Sequence, residues 1–484
     1  MKLNNPELLR SQCLINGEWC DALSGKREAV INPATGAELA SIPLVSEEET
    51  QQAIAAAQRA QNDWKQLTAK QRSALLLAWA DKVLAAQEDL AQLMTAEQGK
   101  SLAEARGEVT YAASFITWFA EEAKRVDGAV LQAPQASQRL VVVKQPIGVC
   151  AAITPWNFPA AMITRKVTPA LAAGCAIIVK PAEQTPLTAL ALAKLAQDAG
   201  IPAGVLQVVT GEAAQVGKVL CDSSVVRKLS FTGSTEVGRI LMAQCAPSIK
   251  KLSLELGGNA PVIVFDDANL DAAVAGIMAS KFRNSGQTCV CANRIYVQDG
   301  IYERLAEKLV AAVEQLKVGD GSQEGTTQGP LIDSDAVAKV QSHIDDALIK
   351  GAQIATGGQP HALGGTFFQP TVVTGVTQKM RFAKEETFGP VAPLFRFHDE
   401  AEAIAMANDT EFGLAAYLFT QNAARQWRVP EALEYGMVGI NTGLISNEVA
   451  PFGGVKQSGL GREGSRYGIE EYLELKYLCI DVSR

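Results

Sequence analysis

Residues 150–180 read CAAITPWNFPAAMITRKVTPALAAGCAIIVK, and this stretch decides the fold class. The runs 150–154 and 176–180 are short and apolar and contain β-branched residues, which predicts two buried strands. The run 159–172 between them predicts a helix. A strand, a helix and a second strand of these lengths form a βαβ unit, in which the two strands are parallel.

The same alternation continues to about residue 256. Strands are predicted over 205–210, 228–232 and 251–256 with helices between them, and Gly200 suits the left-handed position that follows a helix. This pattern predicts a doubly wound parallel sheet, and such sheets bind ligands at the carboxyl ends of their strands.

Three other regions complete the organisation. Residues 47–125 are predicted to be mostly helical, and a second α/β block begins near Pro261. The runs 138–144 and 472–479 are apolar strands without an evident neighbour, and lone strands of this kind need a partner. We therefore interpret both runs as oligomerisation elements.

The predicted fold class is α/β, with a doubly wound parallel-sheet cofactor domain, a second α/β catalytic domain and a small β oligomerisation element. A chain of 484 residues is too long for one simple core. The predicted cofactor domain is discontinuous and comprises residues 1–125 and 147–257. The catalytic domain comprises residues 258–457, and the oligomerisation element comprises residues 126–146 and 458–484.

The composition narrows the class of protein. Hydrophobic residues make up 48% of the chain, charged residues 20%, and the net charge is −8, which argues against nucleic-acid and anionic-membrane partners. No apolar run resembles a secretory signal or a membrane span. The nine cysteines are scattered and odd in number, which predicts a reducing cytoplasm, and no zinc site is expected.

The stretch 282–291, FRNSGQTCVC, places Cys289 on a small polar turn between a predicted helix and a predicted strand. A nucleophilic cysteine needs partial exposure and surroundings that favour the thiolate. The alternative is a small, inert core residue, which is the more common state of a cysteine.

Two segments at the ends of predicted strands carry polar side chains. The amide of Asn157 could donate a hydrogen bond to a developing oxyanion, or it could belong to a turn bounded by prolines. Lys180 and Glu183 could hold the two hydroxyl groups of a ribose, or they could be solvated charges on a surface turn.

Three more strand ends complete the set. Gly233 and Ser234 precede a helix whose N–H groups could hold a phosphate, although the glycine spacing is not GxGxxG and a simple N-cap would also explain the serine. Glu255 alternates into an apolar strand, where burial would raise its pKa and suit it as a general base, or it faces water from an edge strand. The segment 384–390 is an acidic pair followed by a turn.

Together these segments resemble the aldehyde dehydrogenase superfamily over essentially the whole chain. The motifs that carry the resemblance follow the family's order: PWN at 155–157, FTGS at 231–234, ELGG at 255–258, GQTC at 286–289, ETFGP at 386–390 and PFGG at 451–454.

The resemblance implies a role for each residue. Cys289 is the nucleophile, Asn157 and the Cys289 backbone N–H hold the oxyanion, and Glu255 activates water for hydrolysis of the thioester. The implied cofactor contacts place Lys180 and Glu183 at the adenine ribose, Ser234 near the pyrophosphate and Glu386 at the nicotinamide ribose, with further contacts from Thr154, Pro155, Trp156, Gly233 and Phe388.

The chain is more similar still to the succinate-semialdehyde dehydrogenases, through MITRK at 162–166, SKFRN at 280–284, CVC at 289–291 and GLIS at 443–446. In that subfamily, the residues that match Arg165, Arg283 and Ser446 hold the distal carboxylate of the substrate. Two guanidinium groups suit this task, although either arginine could be a solvated helix residue.

The expected reaction is NAD(P)-dependent oxidation of succinate semialdehyde to succinate, with glutarate semialdehyde or another short ω-carboxy aldehyde as the alternative substrate. A cofactor-free thiol esterase is the alternative from another class. Transfer of the thioester to coenzyme A is disfavoured, because Glu255 is a base for water. The expected assembly is a homodimer or a homotetramer.

Two expectations concern the cofactor and redox control. The Glu183 carboxylate should repel a 2′-phosphate, which predicts NAD in preference to NADP, although Lys180 could partly offset the repulsion. Cys291 is either a small residue at the start of a strand or the partner of Cys289 in a reversible disulfide.

Overall fold

The computed structural model describes residues 1–483 as a mixed α/β protein with two large, mainly parallel sheets. Arg484, the last residue of the segment predicted for oligomerisation, lies outside the described residues.

The strands are numbered in chain order. They are β1 (Cys13–Ile15), β2 (Glu18–Cys20), β3 (Arg27–Ile31), β4 (Glu38–Pro43), β5 (Ala129–Leu131), β6 (Gln138–Pro146), β7 (Val149–Ile153), β8 (Ile177–Lys180), β9 (Leu206–Val208), β10 (Val226–Thr232), β11 (Lys251–Glu255), β12 (Ala260–Val264), β13 (Ala292–Gln298), β14 (Gln353–Thr356), β15 (Thr371–Val376), β16 (Val391–Phe397), β17 (Ala415–Phe419), β18 (Met437–Ile440), β19 (Gly459–Leu460) and β20 (Leu473–Asp481).

The α-helices are α1 (Glu47–Trp64), α2 (Ala69–Ala85), α3 (Gln87–Gln98), α4 (Leu102–Glu122), α5 (Ala161–Ala173), α6 (Pro186–Asp198), α7 (Ala213–Asp222), α8 (Thr235–Cys245), α9 (Leu270–Lys281), α10 (Tyr302–Val313), α11 (Ser334–Ile349), α12 (Glu400–Asn408), α13 (Arg425–Ala432) and α14 (Ser465–Glu470). Within the described chain, no helix combines the length and the apolar character needed to cross a membrane.

The first large sheet has the strand order β19-β11-β10-β7-β8-β9-β1-β2. The five strands from β11 to β9 are parallel, and β1 and β19 join them in antiparallel pairing. From β7 the chain builds β8 and β9 on one side and then β10 and β11 on the other. The order of the sheet therefore reverses between β7 and β10, which is the place where open sheets of this kind bind ligands.

The second large sheet has the order β14-β15-β16-β13-β12-β17-β18 and is parallel except for the pairing of β14 with β15. β12 follows β11 after only four residues, so the two sheets are joined directly next to Glu255. The third sheet, β20-β6-β5, is antiparallel, and β3 pairs only with β4.

Local sequence explains where key helices begin and end. Ser46 and Glu49 form a reciprocal capping box at the start of α1. The fully buried carboxylate of Glu97 accepts hydrogen bonds from the N–H groups of Leu187 and Thr188 at 2.7 and 2.9 Å, which satisfies the buried start of α6. Gly200 has a φ of 89° two residues after α6 ends.

The predicted fold class is confirmed. The strands predicted around residues 150–256 are present, as are the helices predicted over 47–125, and β12 and β13 begin the second α/β block that was predicted from near Pro261. The runs 138–144 and 472–479 are neighbours, because β6 and β20 pair over nine residues. β19 lies within the predicted segment 458–484 and pairs with β11 of the first sheet, and the division of the chain into domains stays a prediction.

Candidate active site

A cavity of about 280 Å³ lies at the carboxyl ends of β7 and β10, where the order of the first sheet reverses. Residues directly after these strands line it, and so do residues from the second sheet's side of the molecule. The predicted site residues in its wall include Asn157, Ser234, Glu255, Cys289, Glu386 and Phe388. The fold thus brings together side chains that are widely separated in the sequence.

Cys289 is presented by a tightly fixed turn between the short 3-10 helix Arg283–Gly286 and β13. Asn284, Ser285 and Gly286 have φ values of 50°, 54° and 76°. A Cβ on Gly286 would lie 2.1 Å from the carbonyl oxygen of Gly389, so only glycine fits at this position. The turn leaves the thiol of Cys289 partly exposed in the cavity wall.

The surroundings of Cys289 favour the thiol over the thiolate. Burial, together with the nearby carboxylates of Glu386 and Glu255, raises the pKa of Cys289 to about 12, although Arg165 acts in the opposite direction. At neutral pH the sulfur is therefore protonated, and a base must accept its proton before it can attack.

Asn157 is held firmly next to this turn. The side-chain Nδ2 of Asn157 donates to the backbone carbonyl oxygen of Gln287 at 3.1 Å. The backbone carbonyl oxygen of Asn157 accepts hydrogen bonds from Lys100 Nζ at 2.8 Å and from Asn284 Nδ2 at 3.0 Å. A side-chain amide has two N–H donors, so the second remains for an oxyanion close to Cys289.

Lys100 belongs to a buried ion pair that also fixes the start of α5. Lys100 Nζ lies 2.5 Å from Glu108 Oε2, and both side chains are only 1% exposed. The other carboxylate oxygen of Glu108 accepts the N–H groups of Ala160 and Ala161 at 2.9 and 3.2 Å. The segment that carries Asn157 is therefore anchored on both sides.

Glu255 ends β11 and faces Cys289 across the cavity wall. Both of its carboxylate oxygens are buried, and neither has a hydrogen-bond partner among the described residues. Burial and the nearby Glu463 raise the pKa of Glu255 well above its ordinary value. An uncommitted carboxylate with a raised pKa next to a thiol has the properties of a general base near neutrality.

Glu463, which lies near Glu255, is the counter-ion of two buried cations. It forms ion pairs with Arg165 Nε at 2.7 Å and with Lys166 Nζ, and all three side chains are at most 5% exposed. Neither Lys166 nor Glu463 was singled out from the sequence. Their pairing joins α5 to the segment after β19. This contact cannot be predicted from the residues on either side of Lys166 or Glu463, because the two lie 297 residues apart in the sequence.

The cofactor residues predicted after β10 and near residue 386 lie on one side of the cavity. Ser234 is the N-cap of α8, and its Oγ accepts the Val237 N–H at 3.3 Å. Glu386 accepts the Gly258 N–H at 3.2 Å, and burial raises its pKa to about 7. The ring of Phe388, which has a φ of 56°, packs edge-on against Trp156 at 5.5 Å.

Lys180 and Glu183 form an ion pair at the end of β8. Glu183 lines a separate cavity of about 330 Å³ together with Glu28. Thr154, the first residue after β7, donates its backbone N–H to the carbonyl oxygen of Lys180 at 3.1 Å. Thr154, Lys180 and Glu183 therefore lie at the ends of the neighbouring strands β7 and β8, but none of them is among the described residues that line the first cavity.

Two of the three predicted substrate residues line another cavity, and Arg165 is not among the described residues that line that cavity or the first one. Arg283 and Ser446 line a cavity of about 390 Å³, whose wall includes Phe158 and Asn284, neighbours of the turns that carry Asn157 and Cys289. Arg165 is almost fully buried between the ion pair with Glu463 and the ring of Phe452, 4.0 Å from its guanidinium. Its Nη2 has no hydrogen-bond partner among the described residues.

Cys291 is buried, and its Sγ contacts the carbonyl oxygen of Lys281 at 3.6 Å. All nine cysteines are free thiols. A redox-dependent bond between Cys289 and Cys291 stays a prediction.

Sequence reasoning missed the contribution of α11 to the first cavity. Asp333, Ala336 and Lys339 line it, and Asp333 caps the helix by accepting the Ala336 N–H at 2.9 Å. The only sequence signal is an aspartate before a helical run, which predicts a helix start and not a place in the site.

The fold and the site define the class of protein. Residues 19–478 match the family model described as the aldehyde dehydrogenase family, and the chain belongs to this family, as predicted. Over 480 residues it is 65% identical to an Escherichia coli (strain K12) protein named succinate-semialdehyde dehydrogenase (NADP(+)), with 99% of this chain and 100% of the relative covered.

Two further comparisons agree with this placement. The chain is 64% identical over 482 residues to a glutarate-semialdehyde dehydrogenase of Pseudomonas putida, with 100% of both proteins covered. A crystal structure described as an E. coli NADP dependent enzyme superimposes with a TM-score of 0.99 at 64% identity, covering 99% of this chain and 100% of that one.

The predicted preference for NAD over NADP is wrong. The E. coli relative is named for NADP(+), and the similar crystal structure is of an NADP-dependent enzyme. The prediction assumed that the carboxylate of Glu183 would repel a 2′-phosphate. That carboxylate is paired with the ammonium of Lys180, so its charge is compensated more fully than the sequence argument allowed.

Proposed function

We propose that the protein oxidises succinate semialdehyde to succinate with NADP⁺ as the preferred cofactor, and that glutarate semialdehyde is the alternative substrate. The observation that carries this proposal is the grouping of Cys289, Asn157 and Glu255 in one cavity wall, with Arg283 and Ser446 in the cavity beyond. The names of the relatives from E. coli and P. putida support both substrates.

The residues around the first cavity fit a nicotinamide dinucleotide. The N-terminus of α8 at Ser234 offers backbone N–H groups for a pyrophosphate, and the Glu386 carboxylate can accept hydrogen bonds from a ribose. Only glycine fits before this N-terminus, because a Cβ on Gly233 would lie 2.4 Å from the ring of Phe231. In this proposal Lys180, which is paired with Glu183, offers positive charge at the adenosine end.

In the proposed reaction the sulfur of Cys289 bonds to the aldehyde carbon, and its proton passes to a base. The negative charge on the former carbonyl oxygen is stabilised by the Asn157 amide and by the Cys289 backbone N–H. When bound, NADP⁺ supplies the hydride acceptor, and loss of hydride from the adduct leaves a thioester on Cys289.

Glu255 then removes a proton from water, which attacks the thioester and releases the carboxylic acid with the free thiol. The uncommitted oxygens and the raised pKa of Glu255 support this role. The distal carboxylate of the substrate is held by Arg283, Arg165 and Ser446, because guanidinium groups form strong charge-assisted hydrogen bonds with carboxylates.

The test is to measure kcat/KM for succinate semialdehyde, glutarate semialdehyde and butanal. The readout is the absorbance of the reduced nicotinamide, and coenzyme A is left out of the assay. We expect the charged aldehydes to be strongly preferred, and Arg283→Ala to lose about tenfold or more for them but not for butanal. Equal use of butanal by the wild type would refute the substrate, and absence of reduced cofactor would favour a thiol esterase.

The same assay with both cofactors tests the corrected cofactor preference. Because Lys180 is the cation next to Glu183, Lys180→Met should lower kcat/KM for NADP⁺ more than for NAD⁺. A wild-type enzyme that uses NAD⁺ better than NADP⁺ would contradict the proposal.

We also propose a division into domains, an oligomeric state and a cellular location. The discontinuous cofactor domain 1–125 and 147–257 is supported by the strand order of the first sheet. A homodimer or homotetramer formed through β5, β6 and β20 is supported by the exposed apolar side chains of that sheet. A cytoplasmic location is supported by the nine free thiols.

A further inference from the structure

One face of α4 forms a wall of the cavity that contains Arg283 and Ser446. Glu104, Gly107 and Tyr111 line this cavity from successive turns of the helix, because residues three or four apart lie on the same face. α4 is 21 residues long and ends at Glu122, so Tyr111 lies near its middle, where the backbone is held by intrahelical hydrogen bonds.

The hydroxyl group of Tyr111 is buried and has no hydrogen-bond partner among the described residues. A phenol that is removed from water usually finds a partner, because an unpaired hydroxyl costs free energy. The Tyr111 ring packs edge-on against Phe115 at 4.9 Å, and the guanidinium of Arg165 lies over the same Phe115 ring at 5.3 Å. Tyr111 and Arg165 are therefore neighbours across one aromatic ring.

The charged groups around the cavity leave one guanidinium, that of Arg283, without an ion pair among the described residues. Its two acidic residues are already engaged, since Glu108 pairs with Lys100 and Glu104 accepts the Asn284 N–H at 2.7 Å. Arg283 lies over the Phe158 ring at 4.8 Å and has no carboxylate within ion-pairing distance among residues 1–483. The two lining cations and two lining carboxylates balance in number, but the Arg283 guanidinium is left without an ion pair in the described part of the chain and can receive an anionic group.

We infer that Tyr111 is a specificity-determining residue whose hydroxyl donates a hydrogen bond to the distal carboxylate of the substrate, beside Arg283 and Ser446. This inference rests on the proposed function. It adds an uncharged hydrogen-bond donor to the arginines that are proposed to hold the carboxylate. Burial raises the pKa of Tyr111 above its ordinary value, so the phenol stays protonated and remains a donor at every pH at which the enzyme would be assayed.

The test is Tyr111→Phe, which removes one oxygen and preserves the ring on Phe115. We expect kcat/KM for succinate semialdehyde to fall about 10- to 100-fold, the range of a lost hydrogen bond to a charged group, while butanal changes by about twofold or less. The inhibition constant of the product succinate should rise with the same selectivity relative to butyrate.

Tyr302→Phe is the matched control. The Tyr302 hydroxyl donates to the carbonyl oxygen of Leu394 at 3.1 Å in the core of the second sheet, away from both cavities. This variant should keep the ratio of the two aldehydes within about twofold of the wild type. The thermal midpoint of each variant shows whether it is folded.

The outcomes separate the inference from the proposed function. If Arg283→Ala loses selectivity for the charged aldehyde and Tyr111→Phe does not, the role of Tyr111 is refuted and the function stands. If Tyr111→Phe slows both aldehydes equally, the hydroxyl has only a structural role. If the wild type itself does not distinguish the two aldehydes, both proposals fail.

Discussion

Glu255 destabilises the folded state, because its buried carboxylate loses its hydration and gains no hydrogen-bond partner among the described residues in return. Its position in an apolar strand allowed the sequence to predict burial as one of two alternatives. What the sequence does not contain is the reason that it faces the cavity. β11 is covered on its outer edge by β19, where Glu255 pairs with Gly459, and this pairing joins residues far apart in the chain.

The substitution Glu255→Gln should separate the two halves of the reaction. The amide cannot accept a proton from water, so thioester hydrolysis should slow by about 100-fold or more, the usual contribution of a general base. Rapid mixing should show a burst of about one reduced cofactor per active site, followed by slow turnover.

The pH dependence has a defined sign. Glu255 acts as a base only when ionised, and its raised pKa moves the pH range over which it ionises upward from that of an ordinary glutamate. Hydrolysis by the wild type should therefore rise with pH there, whereas the Glu255→Gln variant should not show this rise. The exposed Glu307→Gln on α10 serves as the control, and a variant that turns over normally without a burst would exclude Glu255 as the base.

At the scale of elements, the segment between β7 and α5 depends on α4 and on Lys100, two residues before α4 begins. Lys100 and Glu108 hold this segment through hydrogen bonds to the backbone of Asn157, Ala160 and Ala161. Motif PWN identified Asn157, but nothing in the sequence links it to a lysine and a glutamate about fifty residues earlier. Helix positions could be predicted from periodicity, whereas contacts between helices could not.

Glu108→Gln should destabilise the protein strongly. The substitution leaves the Lys100 ammonium buried without its partner, which costs about 3–5 kcal/mol of the free energy of unfolding. Urea denaturation measures this loss, and adding Lys100→Met should recover part of it because the unpaired charge is removed.

The control for this experiment is an exposed ion pair on the neighbouring surface. Arg106 and Glu88 are 46% and 45% exposed, so Glu88→Gln should change the free energy of unfolding by about 1 kcal/mol or less. Equal effects of Glu88→Gln and Glu108→Gln would show that burial does not strengthen the inner pair.

At the scale of the whole molecule, alternating strands and helices were sufficient to predict the first parallel sheet and the α/β character of the second block. The short N-terminal strands were missed, because β1 has only three residues and its place in the first sheet depends on pairing Leu14 with Val208. β19 was missed for the same reason. Sequence patterns therefore identified strands that form clear apolar runs, such as β8 and β20, and failed for short strands whose place depends on a distant partner.

The third sheet provides the prediction about assembly. Leu131, Leu475 and Tyr477 are 48%, 69% and 57% exposed on one face of it, an apolar surface that a partner would cover. Leu475→Glu should dissociate the oligomer, because a carboxylate would be buried at the interface. Light scattering after size-exclusion chromatography measures the mass.

Lys476→Gln changes the net charge by the same amount as Leu475→Glu at the next residue, and it should leave the oligomer intact. If Leu475→Glu leaves the mass unchanged, the contact between protomers lies elsewhere.

The pairing of Glu255 with Gly459 and the ion pairs of Glu463 have a consequence for protein synthesis. A nascent chain can carry Cys289, Asn157 and Glu255 long before residues 459–463 have left the ribosome. Until then, the edge of β11 has no neighbour, and Arg165 and Lys166 have no counter-ion. The pocket therefore reaches its final form only when about 95% of the chain has been made, so unfinished polypeptides carry the nucleophile without the completed surroundings that would put it to use.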